Sequence, residues 1–366
     1  MRLKLTAALA LIAAAVLVPA STSGAPGGAP KAFFGIVPQL PPSDEDLSYM
    51  KAGRIGTIRL PLIWPGIQPT ANGGYEWSGI DQMMATVARA RLQVLASLGS
   101  TPRWLARKGT TLPVANARQR GAWMAFVQAA VERYGPTGTF WAEHGPGSAE
   151  PLPRLPIRSW QIWNEPNFFY FAYPVSPARY AQLVTLSSKA IGRADPRAEV
   201  VLAGLFGEPT ASGKRGMPAT EFLDRLYEKP GLKTRFDAVA LHPYAVDAET
   251  LGELTEAIRQ VALDNHDPRV GLYITEMGWG SQNNFNQVAF EQGRSGQVRQ
   301  LQNSYAYLLE NRHRLNLKAA YWFAWKDLAG SCSFCDSVGL FHAGPRFKPK
   351  PAWRAFVAIT GGRARP

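Results

Sequence analysis

Short apolar runs alternate with longer amphipathic runs along most of this chain. The short runs, at 33–37, 56–60, 93–98, 159–163, 200–205, 238–241, 272–275 and 319–323, read as β-strands. The amphipathic runs between them read as helices, one starting near Ser43, others at 80–91 and 118–134, one opening at Ser176-Pro177, and others at 220–228, 250–263, 296–311 and 351–359. Local chemistry marks several of their starts. Ser43 and Asp46 form a capping pair, Ser78 is a cap candidate, and Pro177 follows a cap serine at the first helical position. A polar, Gly- and Pro-rich insertion occupies 135–156. Eight strand–helix units in one chain predict a closed parallel barrel, a single (β/α)₈ or TIM-barrel domain, rather than an open sheet.

The chain has 366 residues, enough for one such barrel with moderate insertions. Its first 25 residues follow the order of a secretory signal: Arg2 and Lys4, an apolar run from Leu5 to Val18, then small residues. We expect export, with cleavage between Ala20 and Ala25 and a mature domain over 26–366. The apolar run is too short and too Ala-rich for a membrane span, which needs about 20 apolar residues. No linker or repeat marks a second module, and the expected state is a monomer.

The formal net charge is +13, and loss of Arg2 and Lys4 lowers it to +11. The basic residues are scattered. An acidic exopolysaccharide, a uronic-acid glycan or a cell-wall surface would be attracted to such a chain, but a generic Arg-rich surface is the simpler reading. No basic helix or known motif accompanies the charge, so nucleic acid is not an expected partner. Cys332 and Cys335 are the only cysteines. In an exported chain they predict a local disulfide closing a very small loop. Zinc would need about four ligands, and no second pair exists.

Two of the strand-like runs lead straight into a carboxylate. Glu165 ends Trp160-Gln161-Ile162-Trp163-Asn164-Glu165 and is followed by Pro166; Glu276 ends Leu272-Tyr273-Ile274-Thr275-Glu276 and is followed by Met277-Gly278-Trp279. Pro and Gly stop strands, so each acid sits at a strand's C-terminal end, the rim on which parallel barrels carry their chemistry. Two carboxylates facing one sugar are what glycoside hydrolysis requires: one protonates the leaving oxygen, and the other attacks or activates water.

With its Asn-Glu-Pro and Thr-Glu-Met-Gly-Trp segments, the chain resembles the clan A glycoside hydrolases. These place an acid on strand 4 and a nucleophile on strand 7. The likeness is nearest to family 39 and to family 5-type secreted bacterial enzymes, and it covers nearly all of the chain after the leader. It implies that Glu165 is the general acid and base, and that Glu276 is the nucleophile of a retaining reaction. It implies that Asn164 bonds the sugar 2-hydroxyl. Arg59, ending the second strand between Ile58 and Leu60, matches the clan's support for the nucleophile, and a charge flanked by apolar residues needs a partner in any case.

His242 and Tyr244 match a His-x-Tyr that ends strand 6 in many clan members. Tyr244 would donate to Glu276, while His242 would bond a sugar hydroxyl, orient the acid pair or serve the core. Trp325 matches the clan's aromatic floor under the scissile sugar, because an indole stacks on apolar sugar faces. Trp64, Trp104 and Phe168-Phe169-Tyr170 follow other strands, as sugar platforms or as packing; Trp322, Phe323 and Trp353 read as core. The sequence thus predicts a secreted hydrolase of poly- or oligosaccharides that needs no metal or organic cofactor. The spread of aromatics over several loops leans towards endo action. The alternatives are an exo-acting, xylosidase-like glycosidase, an inverting hydrolase, or a degenerate barrel that binds glycan without cleaving it.

Overall fold

A computed structural model describes residues 29–284, 288–328, 330, 332, 334–344 and 348–366. The expected leader at 1–25 lies outside the described residues. Eight parallel strands close into a barrel in chain order. They are β1 (Phe34–Val37), β2 (Thr57–Ile63), β3 (Gln93–Gly99), β4 (Ser159–Ile162), β5 (Glu199–Phe206), β6 (Ala238–His242), β7 (Gly271–Met277) and β8 (Leu317–Phe323). β8 pairs back onto β1 from Phe34↔Ala320 to Val37↔Phe323, so no sheet edge remains open.

The helices are α1 (Asp44–Ala52), α2 (Trp64–Ile67), α3 (Ser78–Arg89), α4 (Ala117–Tyr134), α5 (Thr139–Glu143), α6 (Pro177–Ala194), α7 (Ala219–Tyr227), α8 (Ala248–Asp264), α9 (Gly293–Glu310) and α10 (Pro351–Thr360). None of them is long and apolar enough to cross a membrane.

The local signals act largely as their chemistry dictates. At α1 the Ser43 hydroxyl accepts from the Asp46 amide, and the Asp46 carboxylate accepts from the Ser43 amide at 2.8 Å. At α6 the Ser176 hydroxyl caps a helix that begins with Pro177. Ser78 is a correction: it lies inside α3, whose N-cap is Trp77 with no side-chain cap bond. The 135–156 insertion is not all loop, because Phe140 and Trp141 bury their rings and fold it into α5. Arg133 ties that insertion down by binding both Asp81 and Glu143.

Two layers of side chains fill the molecule. Between strands and helices, Trp123, Phe126, Trp160 and Tyr180 are fully buried. Inside the barrel, Leu95, Val201, Ala240, Ala319 and Tyr321 pack across the axis. Gly35 leaves the space that the Tyr321 ring fills, since a Cβ there would lie 2.3 Å from a ring carbon. Tyr321 then meets Thr57 Oγ1 at 3.0 Å, and lower in the barrel Glu199 accepts from Ser159 and Tyr273. The interior is therefore a packed core. Open space is left above it, at the strands' C-terminal ends.

The loops after β7 and β8 are locked together by a buried cation. Lys350, 2% exposed, donates to Asp327 Oδ1 at 2.5 Å, to the Ser337 carbonyl at 2.6 Å and to Ser281 Oγ at 3.0 Å. Removing the counter-charge would strand the ammonium. Asp327→Asn should lower unfolding free energy by about 3–5 kcal/mol, measured by denaturant titration. A loss under about 1 kcal/mol would show that the pair is not needed there.

Candidate active site

The cleft above the barrel encloses about 680 Å³ and is lined by Arg59, Asn164, Glu165, Tyr244 and Glu276, with Phe323, Phe206, Tyr170 and Phe171 among its aromatic walls. Both glutamates reach it from strand ends. Glu276 lies within β7, where the register against β8 shifts between Ile274 and Met277. Glu165 sits two residues beyond Trp163, itself just past β4, and the chain turns sharply to put it there. Trp163 and Glu165 have φ of 74° and 39°, conformations that side-chain-bearing residues rarely adopt and that cost about 1–3 kcal/mol each. Neighbouring strands enforce the turn. The Trp163 amide donates to Leu98 O at 2.7 Å, the Glu165 amide to Gly204 O at 3.1 Å, and Trp163 Nε1 to Phe171 O at 2.9 Å. Asn167 clamps the following loop by bonding both the amide and the carbonyl of Phe206.

Arg59 is the hub of the site. Its Nη1 donates to Glu276 Oε1 at 2.5 Å, its Nε to Gln161 Oε1 at 2.6 Å and its Nη2 to Asn164 Oδ1 at 2.6 Å, with Ser97 Oγ at 3.4 Å. Tyr244 Oη donates to Glu276 Oε2 at 2.8 Å, so each oxygen of Glu276 has its own donor. Asn164 spends its carbonyl on Arg59, which leaves its amide N–H₂ without a protein acceptor among the described residues, on the cleft wall.

Glu165 has a different partner. His242 Nδ1 lies 2.7 Å from Glu165 Oε1 and 3.7 Å from Glu276 Oε2. The ring is fully buried and is pressed against β5, where Gly204 leaves room for it: a Cβ there would lie 2.0 Å from Nε2. Among the described residues Nε2 has no hydrogen-bond partner. A buried N–H with no acceptor is rarer and more costly than a bare acceptor, so the proton belongs on Nδ1, which donates to Glu165. The second oxygen of Glu165 has no hydrogen-bond partner among the described residues, and Glu165 lines the cleft.

The electrostatics follow from these contacts. Burial, and then the negative charge of Glu276, push the Glu165 carboxyl well above the usual carboxylate range, against the pull of Arg59. Burial pushes Glu276 up as well, but Arg59 and the Tyr244 hydroxyl pull it back. Burial, with help from Arg59, holds His242 well below its usual value, so the ring is neutral. The first proton bound by the pair therefore resides on Glu165. One oxygen from each glutamate and a nitrogen of His242 lie within 4.8 Å of one another, a spacing that would also suit a metal ion. The groups are already committed, because Arg59 supplies the positive charge at Glu276 and Nδ1 serves Glu165.

Of the residues singled out in the sequence, Arg59, Asn164, Glu165, His242, Tyr244 and Glu276 come together here. His242 lies beneath the cleft with 0% exposure, in contact with both acids. Three tryptophans are corrections. Trp325 turns away from the cleft, donates Nε1 to Asp46 at 2.5 Å and packs on Phe341 and Trp353. Trp64 is fully buried, stacked on Phe126 with centroids 5.1 Å apart. Trp104 donates to the Gln68 carbonyl and stands edge-on to Trp64. The short turn of α2 carries Trp64 into the helix layer against Phe126. The ring on the strand-8 side of the cleft is Phe323, which the sequence reading placed in the core. Phe334 was also missed. It packs on Tyr244 at 5.4 Å and is held in a loop closed by the Cys332–Cys335 disulfide, which lines the cleft.

No protein-family model matches the chain, and no curated protein matches it in sequence. Solved structures do match in fold. A family 39 glycoside hydrolase from Bacteroides cellulosilyticus WH2 superposes with a TM-score of 0.64 at 18% identity, over 90% of this chain and 63% of that one. A monomeric beta-xylosidase from Caulobacter crescentus CB15 gives 0.60 at 19% identity, over 89% and 67%. An endo-beta-1,4-glucanase from Xanthomonas axonopodis pv. citri gives 0.56 at 13% identity, over 90% and 98%. This chain thus spans less than two thirds of the first relative's length. At these identities the likeness establishes a shared barrel.

The asymmetry between the acids can be tested directly. Tyr244→Phe removes a hydrogen bond to the charged form of Glu276, so the Glu276 carboxyl should titrate at higher pH than in the unaltered protein, followed by carbon-13 NMR of labelled glutamate. A titration that stays put or moves down would contradict the geometry.

Proposed function

We propose that this protein is a retaining glycoside hydrolase, with Glu165 as acid and base and Glu276 as nucleophile. The observation that carries the reading is one oxygen of each carboxyl within 4.8 Å of the other, in environments that separate their protonation. Retaining pairs stand about 5–5.5 Å apart, whereas inverting pairs need about 6.5–9.5 Å to admit a water between acid and base. The fold shared with a family 39 hydrolase, a xylosidase and an endo-glucanase supports the same class.

In the first step Glu276 attacks the anomeric carbon, and protonated Glu165 gives its proton to the departing oxygen. The Nδ1–H of His242 holds Oε1 of Glu165, so the acidic proton sits on the oxygen facing the substrate. Loss of that proton leaves Glu165 as a base beside a glycosyl-enzyme, and water activated by it completes the cycle. Arg59 and Tyr244 keep Glu276 anionic while it waits and receive it again when the ester breaks. The amide of Asn164, on the cleft wall, would bond the sugar 2-hydroxyl, a contact that strengthens in the oxocarbenium-like transition state. No step here calls on a metal or organic cofactor.

The reading extends to a secreted, monomeric enzyme acting within poly- or oligosaccharide chains. The leader-like 1–25 segment and the local disulfide support secretion. The open cleft and its aromatic walls support endo action.

Two variants test the assignment. Glu165→Ala should lower turnover of aryl glycosides with poor leaving groups by about 10²–10⁴-fold and spare the first step for activated ones, with azide restoring activity. Equal losses for all leaving groups, without rescue, would remove Glu165 from the role. A 2-deoxy-2-fluoro glycoside with a good leaving group should label the peptide containing Glu276, and Glu276→Ala should abolish labelling without unfolding. A label on another carboxylate in active protein would overturn the mechanism.

A further inference from the structure

One wall of the cleft has properties that the two-carboxylate chemistry does not use. The loops after β3, β4 and β5 form it together. The Tyr173 amide donates to the Thr110 carbonyl, the Phe169 amide to Arg215 and the Val175 amide to Lys214. This wall exposes Tyr170, Phe171 and Tyr173, which are 64%, 41% and 44% accessible. Among the described residues these are three of the seven exposed large apolar side chains, gathered within four positions. Tyr170 and Phe171 line the catalytic cleft itself. Aromatic faces left open to water beside an active site are unfavourable unless a ligand covers them.

Cations accompany the rings. Lys108 Nζ lies 5.9 Å from the Tyr173 ring, and the Arg215 guanidinium sits 3.7 Å over Phe169, which stacks on Tyr170 at 4.2 Å. Lys214 is exposed next to Arg215. No carboxylate pairs with Lys108, Lys214 or Arg215 among the described residues. The one acid in the same loop is the exposed Glu208, six residues before Lys214.

We infer that this wall binds an anionic sugar unit next to the one being cleaved, so that the substrate is a polysaccharide carrying carboxylate or sulfate groups. Ring faces of Tyr170 and Phe171 would stack on the sugar, and Lys108, Lys214 and Arg215 would meet its charge. The inference rests on the hydrolase reading for the cleaved bond, but the wall stands outside the catalytic contacts. Stacking aligns the chain, and charge selects it; a neutral glycan would use only the first.

The test is calorimetric titration of the intact protein and of Lys108→Ala/Lys214→Ala/Arg215→Ala. The probes are oligomannuronate, oligogalacturonate, sulfated dextran oligomers, cello-oligosaccharides and manno-oligosaccharides, each at low and physiological salt. The intact protein should bind at least one anionic probe more tightly than any neutral one, with affinity falling as salt rises. The triple variant should lose about 10-fold in that affinity, the sum of three modest charge contacts, and keep its thermal midpoint. Uronate against sulfate preference identifies the charged group. Binding unchanged in the variant, neutral glycans bound as tightly as anionic ones, or no anionic probe bound would each overturn the inference.

Hydrolysis of aryl glycosides, followed in parallel, should differ less than about twofold between the two proteins, because these substrates present no charge to the wall. Absent hydrolysis with intact charge-dependent binding would discard the enzyme and keep the wall. Hydrolysis without such binding would do the reverse.

Discussion

The guanidinium of Arg59 is the interaction on which the site depends. It lies 6% exposed at the mouth of a packed barrel, where an unpaired cation would be strongly unfavourable. It is tolerated because three strands and their ends supply four acceptors. Ser97 comes from β3, Gln161 from β4, Asn164 from just beyond β4 and Glu276 from β7. A planar fork with fixed donor directions can satisfy them together, which a lysine could not do. In doing so it fixes where Glu276 and Asn164 sit.

That single charge also divides the labour of the two acids. A pair of carboxylates this close cannot both ionise in a buried site without compensation. Arg59 and Tyr244 compensate Glu276. Glu165 meets only a neutral imidazole, kept neutral by burial and by the same arginine. The proton is thereby assigned to one residue by geometry that exists before any substrate arrives. The backbone at Trp163 and Glu165 is held in an uncommon conformation to reach this point, and neighbouring strands hold it there. Strain located at the residue that must be aimed, inside a closed barrel that can absorb it, is consistent with a pre-organised site.

The barrel was legible because its strands are short apolar runs with helices between, and closure adds no new sequence requirement. The edges were less so. The expected second strand stops before Pro61, yet β2 runs on to Ile63, because beyond Ile58 it pairs with β3 alone and a residue lacking an N–H is tolerated. The charged half of the site could be read since Arg59, Glu165 and Glu276 are conspicuous next to apolar neighbours. Gln161 was missed: a buried amide inside a strand looks like any alternating polar position until its partner is seen. The aromatics were the least legible. Indole rings suit a sugar face and a helix–sheet interface equally well, and sequence does not say which way a ring turns. Trp325 points outward because Asp46 offers an acceptor for its N–H in the helix layer, while Phe323, two positions earlier, faces the cleft.

The two sides of the cleft differ in construction, and the difference has chemical meaning. On the side of strands 7 and 8, Phe334 lies against Tyr244, Phe290 and Phe323; Cys332–Cys335 closes its loop, and Lys350 with Asp327 locks the loops behind. Lys350, Asp327 and Ser337 of that lock are buried, which makes the side a rigid support for the Tyr244 bond to Glu276. On the side of strands 3 to 5, backbone bonds tie the loops while Tyr170, Phe171 and Tyr173 stay exposed beside cations that have no carboxylate partner among the described residues. A rigid side fixes the reacting centre to within the small tolerance that bond cleavage needs. An exposed, chemically distinctive side can grip more of the polymer without disturbing that centre. On the hydrolase and glycan-wall readings proposed above, rate and selectivity rest on different loops, so the wall can vary while the carboxylates, Arg59 and the strands beneath them stay fixed.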